Sequence, residues 1–169
     1  MQEIYEKLTE GIQKYFKKTG FVKAVIGVSG GVDSSVVLKL AVDALGPEKI
    51  MAVSMPEKGV SNPINTEHAK KLCGFLKVRH FIIPINKYLL NLQLMPWEQN
   101  LVSTINIKPR IRMIILYNYA NANNALVLGA SNKSELLLGY GTKHGDLAAD
   151  IDVLGDLLKT EVFELAKHM

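Results

Sequence analysis

Between positions 25 and 36 the chain reads Val-Ile-Gly-Val-Ser-Gly-Gly-Val-Asp-Ser-Ser-Val, and Ser29, Gly30, Gly31, Asp33 and Ser34 within it are suited to holding an anion. Gly30 and Gly31 let the main chain bend and let a phosphate approach backbone N–H groups without a Cβ in the way. Ser29, Ser34 and Ser35 add hydroxyl donors. Asp33 narrows the chemistry, because a carboxylate beside a phosphate repels it unless a cation lies between them, so Asp33 reads as a Mg²⁺ ligand. A plainer reading, a Gly- and Ser-rich turn with Asp33 as a helix cap, uses the same letters.

The elements around these residues favour the anion site. Residues 23–28 are rich in β-branched types, and Val36, Val37, Leu40 and Ala41 recur at helical spacing, so a strand runs into a helix through residues 29–34. Such a junction aims unpaired N–H groups and the positive end of a helix dipole at one point. The loop lacks both G-x-x-x-x-G-K-[ST] and G-x-G-x-x-G. Its Ser-Gly-Gly-x-Asp-Ser resembles the pyrophosphate loop of the ATP pyrophosphatases, which split ATP between its α- and β-phosphates.

The remaining elements follow from periodicity. Ile4, Leu8, Ile12, Tyr15 and Phe16 mark one face of a first helix that Thr19-Gly20 ends. Strands are expected at residues 50–54, 80–83 (buried) and 125–129, helices at 65–76 and 111–122 (Ile114, Ile115 and Tyr119 inward), and a loop at 56–63. Residues 85–101 read as connecting structure, with a helix starting near Lys87. A short strand or turn near Ile151 leads to a last helix over 160–168. Strand and helix alternate, which predicts an α/β fold: a doubly wound, mostly parallel sheet with helices on both faces.

Composition limits the function classes. A chain of 169 residues with 48% hydrophobic and 21% charged residues fits one soluble domain with a real core. The net charge of +4 suits a polyanionic small molecule and is too evenly spread to argue for nucleic acid. Cys73 is the only cysteine, and its helical, apolar setting predicts a buried structural thiol. No apolar run is long enough to span a bilayer and the N-terminus does not read as a signal peptide, so a cytoplasmic protein without a membrane partner is expected.

In a doubly wound sheet ligands bind beyond the carboxyl ends of the strands, where strand order reverses. The loops after the first and fourth strands both lie there. Asp33 and Glu135 can then face one another across the phosphate site as oxygen ligands for Mg²⁺, while Lys143 and Lys159 could neutralise phosphate oxygens.

Residues 29–34, the stretch Asn106-Ile107-Lys108-Pro109-Arg110-Ile111-Arg112-Met113, and residues 129–159 resemble the ammonia-dependent NAD synthetases. The resemblance covers most of the chain. It implies the adenine nucleotide alpha hydrolase-like, Rossmann-like fold and a ligase of NAD biosynthesis that adenylates the carboxylate of deamido-NAD with ATP, releases pyrophosphate and lets ammonia displace AMP. By that resemblance, Gly27, Val28, Ser29, Gly30, Gly31, Val32, Asp33 and Ser34 would hold ATP phosphates, and Asp33 and Glu135 would bind Mg²⁺. Ala130 and Lys159 would lie against ATP, and Arg110, Lys143 and Asp150 would contact deamido-NAD. Asp146, Lys159 and Lys143 would serve the reaction, Asp146 near the carboxylate that ammonia attacks. A homodimer is implied as well.

The pattern also departs from the family. Ala130 stands where a Thr is usual, so a hydroxyl contact is either missing or supplied by Ser131, and Val153-Leu154 stands where Pro-Leu is common. The family continues past the position of Met169, so residues 1–169 are expected to be a single domain without the family's C-terminal segment, possessing ATP contacts but with turnover in question. The loop alone equally suits a GMP synthetase or a tRNA thiolase, and a fragment that binds nucleotide without turnover is a further reading.

Overall fold

Apolar residues occupy both alternating sets of positions in the central strands, which only a sheet covered on both faces satisfies. In the computed structural model, which describes every residue except Gln93, five strands form one sheet. These are β1 (Lys23–Gly27), β2 (Ile50–Ser54), β3 (Arg79–Ile82), β4 (Ala125–Gly129) and β5 (Ile151–Asp152), in the order β3-β2-β1-β4-β5, with every pairing parallel. Seven α-helices connect them among the described residues: α1 (Gln2–Thr19), α2 (Val32–Leu45), α3 (Pro63–Phe75), α4 (Asn86–Leu92), α5 (Leu101–Asn123), α6 (Lys133–Leu138) and α7 (Lys159–His168). The doubly wound α/β architecture expected from the alternating pattern is the one observed.

The period of two along each strand divides the core. Ala24, Ile26, Ala52, Leu126 and Leu128 meet Ile12 and Phe16 of α1, Val37 and Leu40 of α2, Ala69 and Cys73 of α3, and Val162 and Leu165 of α7. Val25, Met51, Val53 and Val127 point the other way, against Ile111 and Ala120 of α5. The chain steps outward from β1 to β3, returns to pair β4 with the other side of β1, and so makes its strand-order reversal between β1 and β4.

Local signals explain most boundaries. Gly20 ends α1 in the left-handed conformation at φ 77°, and its N–H donates to Phe16 O. Asn62 caps α3 by accepting from Ile64 N at 3.0 Å, with Pro63 at the first helical position.

Three expectations are corrected. Arg79–Ile82 is the outermost strand, so Phe81 and Ile82 are 46% and 47% exposed, not buried. Helix α5 begins well before 111, at Leu101, because Asn100 accepts from Ser103 N at 2.9 Å and starts a helix that continues through Pro109. Pro109 costs α5 the hydrogen bond its nitrogen would have donated. Ile114 is 61% exposed, and Ile111 and Ala120 are the buried residues of that helix. The helix expected near Lys87 is α4; the part of the 85–101 segment at Gln93 lies outside the described residues. Residues 133–138, not assigned from periodicity, form α6. Cys73 is buried, and burial pushes its thiol up to about 11. No described helix is long and apolar enough to cross a membrane.

A polar bridge ties three strands together on the α3 side. Ser54 Oγ donates to Val28 O at 3.0 Å and meets His80 Nε2 at 2.8 Å. With the hydroxyl hydrogen committed to Val28, the imidazole Nε2 is the donor. Burial, and then the charge of Lys70, hold the His80 pKa below its ordinary value of 6.5. The unfolded chain therefore takes up this proton first, so the stability linked to His80 is present above about pH 6.5 and is lost as pH falls through the lowered value. The urea midpoint should drop between pH 7 and pH 5, and His80→Gln, which keeps a donor but cannot charge, should drop less. Parallel pH profiles for the two proteins would show that His80 does not carry the linkage.

Candidate functional site

A cavity of about 520 Å³ opens at the carboxyl ends of β1, β2 and β4. It is lined by Gly27 and Ser54 at the ends of β1 and β2, Val28, Ser29 and Met55 in the loops after them, Asp33 and Ser34 in the first turn of α2, and Asn62 and Asn65 at the start of α3. Arg112 and Met113 of α5 close one wall, and Ala130, Ser131, Glu135 and Asp146 close the side beyond β4. The cavity therefore sits at the strand-order reversal, where a doubly wound fold binds its ligands.

The first loop is held by its own hydrogen bonds. Gly31 N donates to Ser29 Oγ at 3.2 Å, Ser34 Oγ donates to Gly31 O at 3.2 Å, and Ser35 Oγ donates to the same carbonyl at 2.8 Å. Gly30 has φ 82°, and a Cβ built on it would lie 2.0 Å from Asn65 O. The loop is thus wedged against the first turn of α3 at a position where only glycine fits. Gly31 is the N-cap of α2 and offers no side chain to its first turn, which leaves those N–H groups for an anion.

Asp33, one residue inside α2, is held from two directions. Its Oδ1 accepts from Asn132 Nδ2 at 3.1 Å, and its Oδ2 pairs with Lys159 Nζ at the first position of α7. Asn132 is fully buried and caps α6: Oδ1 accepts from Glu135 N at 3.0 Å, and Glu135 Oε2 accepts from Asn132 N at 3.2 Å. The same residue thereby fixes two of the carboxylates that line the cavity, Asp33 and Glu135. Lys159 N donates to Ser134 Oγ at 3.0 Å, tying α7 to α6, and its ammonium lies 5.5 Å from the Phe163 ring centroid.

Asp146 turns back on its own loop, its Oδ1 accepting from Thr142 N at 2.7 Å, while Thr142 Oγ1 donates to Asn106 Oδ1 of α5 at 2.8 Å. Ser131 Oγ donates to Asp146 O at 3.2 Å, so the hydroxyl next to Ala130 serves this loop. Arg112 Nε donates to Met55 O at 3.0 Å. Burial lowers the Arg112 pKa from its ordinary value, with Glu57 and Asp146 pulling the other way.

Of the residues singled out in the sequence, Gly27, Val28, Ser29, Asp33, Ser34, Ala130, Glu135 and Asp146 line the cavity, and Lys159 joins them through Asp33. Gly30, Gly31 and Val32 form the turn behind it. Arg110 Nε donates to Lys143 O at 3.2 Å, and neither residue is among those lining the cavity. Asp150 works inside the chain: its Oδ2 accepts from Val127 N at 2.7 Å and its Oδ1 from Tyr117 OH at 3.3 Å, with no part in the cavity lining. Val153 and Leu154 are buried in the core. Asn132 and Arg112 were not singled out by sequence reasoning. Asn132 had a readable signal, since Asn-Lys-Ser-Glu ahead of three leucines is a capping box.

The sequence model of the family described as NAD synthase matches residues 4–169. The chain belongs to the NAD synthase family. An NH(3)-dependent NAD(+) synthetase of Methanocaldococcus jannaschii is 44% identical over all of this chain and 66% of its own length. The solved NH3-dependent NAD synthetase of Campylobacter jejuni, in complex with the nitrate ion, superposes with a TM-score of 0.93 at 43% identity, over 99% of this chain and 72% of that one. A glutamine-dependent NAD+ synthetase of Acinetobacter baumannii in complex with ADP gives a TM-score of 0.92 at 36% identity, over 99% of this chain and 32% of that one. The chain spans about two thirds of the length of the curated relatives it matches.

The wedge at Gly30 generates a test. Gly30→Ala places a methyl against the Asn65 carbonyl at a positive φ, so the variant should lose roughly 2 kcal/mol or more of stability. Its first loop should also be displaced. Unfolding by urea checks the first, and an unchanged midpoint would show that the loop does not depend on this contact.

Proposed function

We propose that residues 1–169 form one domain that carries the nucleotide chemistry of an ammonia-dependent NAD synthetase. Its substrates would be ATP, deamido-NAD and ammonia, and its products NAD, AMP and pyrophosphate. The observation that carries this reading is that Asp33 and Glu135, from the first turns of helices far apart in sequence, line one cavity together with a glycine-rich loop at a helix N-terminus. Membership of the family and the similarity to enzymes of that name support the substrate assignment.

The donor set suits Mg²⁺. Asp33 and Glu135 offer carboxylate oxygens, and Mg²⁺ characteristically takes one or two carboxylates and completes its shell with substrate phosphates and water. When bound, the ion would draw charge from the triphosphate and so make pyrophosphate a better leaving group. Asp33 and Glu135 hold their positions for it through Asn132.

Other steps belong to the chain's own groups. The α2 N-terminus with Ser29 and Ser34 binds β- and γ-phosphate oxygens, and Lys159, released from Asp33, pairs with the charge that builds on pyrophosphate. An oxygen of the nicotinate carboxylate forms a bond to the α-phosphorus while the bond from that phosphorus to the bridging oxygen breaks, and the electron pair leaves with pyrophosphate. Ammonia then adds to the acyl carbon, AMP departs, and Asp146 holds the nucleophile and receives its proton. Arg110, midway along α5, and Lys143 beside it would meet deamido-NAD outside the cavity. Asp150, engaged with Val127 and Tyr117, would support that surface.

A thiolase is a weaker reading, since Cys73 is the only cysteine and is buried in the core away from the cavity. Exposed Leu101, Val102, Ile105 and Ile114 on α5 support a homodimer, and the protein would act in the cytoplasm.

The direct assay incubates the chain with ATP, Mg²⁺, ammonium and deamido-NAD and follows AMP, pyrophosphate and NAD. Asp33→Asn should abolish pyrophosphate release without unfolding the protein, and Glu135→Gln should do the same. The double variant should be little worse than either single one, because ligands of one ion act as a unit. Pyrophosphate release by Asp33→Asn at the parent rate would remove the metal assignment.

A further inference from the structure

The cavity contains a guanidinium whose charge has no ion-pair partner among the described residues. Arg112 is half-buried on the α5 wall, and among the described residues its guanidinium makes one hydrogen bond, from Nε to Met55 O at 3.0 Å. The nearby carboxylates are engaged elsewhere: Glu57 pairs with Lys108 at 2.6 Å, Asp33 pairs with Lys159, and Asp146 Oδ1 accepts from Thr142 N. Among the described residues no carboxylate lies within 4.0 Å of the Arg112 guanidinium. Both terminal nitrogens therefore keep their donors for a ligand's oxygens, and the half-burial that removes part of their hydration raises what an anion gains by pairing with them.

Position selects among the anions. Arg112 is fastened to the main chain just after β2, and Asp146, beyond β4, is near enough to act on its charge. It thus overlooks the middle of the cavity, above the end of β1, while the first loop and Lys159 lie at the other wall. The terminal phosphates already have that loop, the α2 N-terminus and Lys159. The phosphorus at which bonds change must lie between this cradle and the residues around Asp146.

We propose that Arg112 is a substrate-contacting residue whose terminal nitrogens bind the non-bridging oxygens of the nucleotide's α-phosphoryl group. This deepens the reading of the cavity as an ATP site and rests on it. The fork matches two phosphoryl oxygens at once, and the Nε bond to Met55 O aims it. The contact persists through the reaction, since ATP, the acyl adenylate and AMP all carry this group. Arg110, two residues earlier on the helix and therefore turned away, cannot substitute for it.

The test compares AMP, ATP and adenosine by titration calorimetry on the parent protein, Arg112→Met and Arg112→Lys. Arg112→Met should weaken AMP by about 10- to 100-fold, as expected for lost charge-assisted hydrogen bonds, and leave adenosine unchanged. Arg112→Lys should be intermediate, because it keeps the charge and loses the fork. Without ligand, the melting temperature of Arg112→Met should stay the same or rise, which a structural arginine would not show. AMP binding unchanged in Arg112→Met, or AMP and adenosine weakened equally in both variants, would overturn the proposal. Loss confined to deamido-NAD would overturn it too, by assigning the guanidinium to the acceptor carboxylate. If the parent protein binds neither ATP nor AMP, it is the reading of the cavity as an ATP site that fails.

Discussion

The carboxylate of Asp33 stands where α2, α6 and α7 begin, and the site depends on how it is held there. Asn132 reaches it from the cap of α6 and Lys159 from the first position of α7. The segments involved are separated by 99 and 126 positions in the chain, so their meeting is a product of the whole fold. Strand order brings β4 beside β1, and that neighbourhood puts the loops after both strands over one cavity. A carboxylate beside a phosphate cradle would be a liability in isolation. Here Lys159 pairs with it and offsets its charge.

The glycine loop adds a steric constraint to this electrostatic one. Gly30 lies against the main chain of Asn65, so the turn that frees the α2 N-terminus is also the contact between that turn and α3. Ser29, Ser34 and Ser35 satisfy the loop's own polar atoms and fix its shape before any ligand binds. A binding loop already ordered in this way gives up less entropy on binding.

Local chemistry made part of this legible in the sequence. The β1-loop-α2 junction, the Gly20 stop and the strands at Ile50–Ser54 and Ala125–Gly129 follow from β-branched runs, glycine and helical spacing over short windows. What escaped depended on tertiary position. Nothing in Phe81-Ile82 says that β3 lies at the sheet edge, because strand order is a property of the whole chain. Arg110 and Arg112 are two like residues on one helix, and only the rotation of α5 turns one into the cavity and the other toward Lys143. The helix expected over 111–122 begins ten residues earlier, at Leu101, where Asn100 caps it. The contacts of Asp150 with Val127 and Tyr117 escaped as well, because they span 23 and 33 positions of the chain.

The central claim is that the Asp33, Asn132, Lys159 and Glu135 assembly is a combined nucleotide and metal site. Titration of the chain with ATP in the presence of Mg²⁺ and again in the presence of a chelator tests it most directly. The structure predicts binding in both conditions and distinctly tighter binding with Mg²⁺, since Asp33 and Glu135 repel bare phosphate and attract the ion between them. Equal affinity in the two conditions, or tighter binding with the chelator, would contradict it.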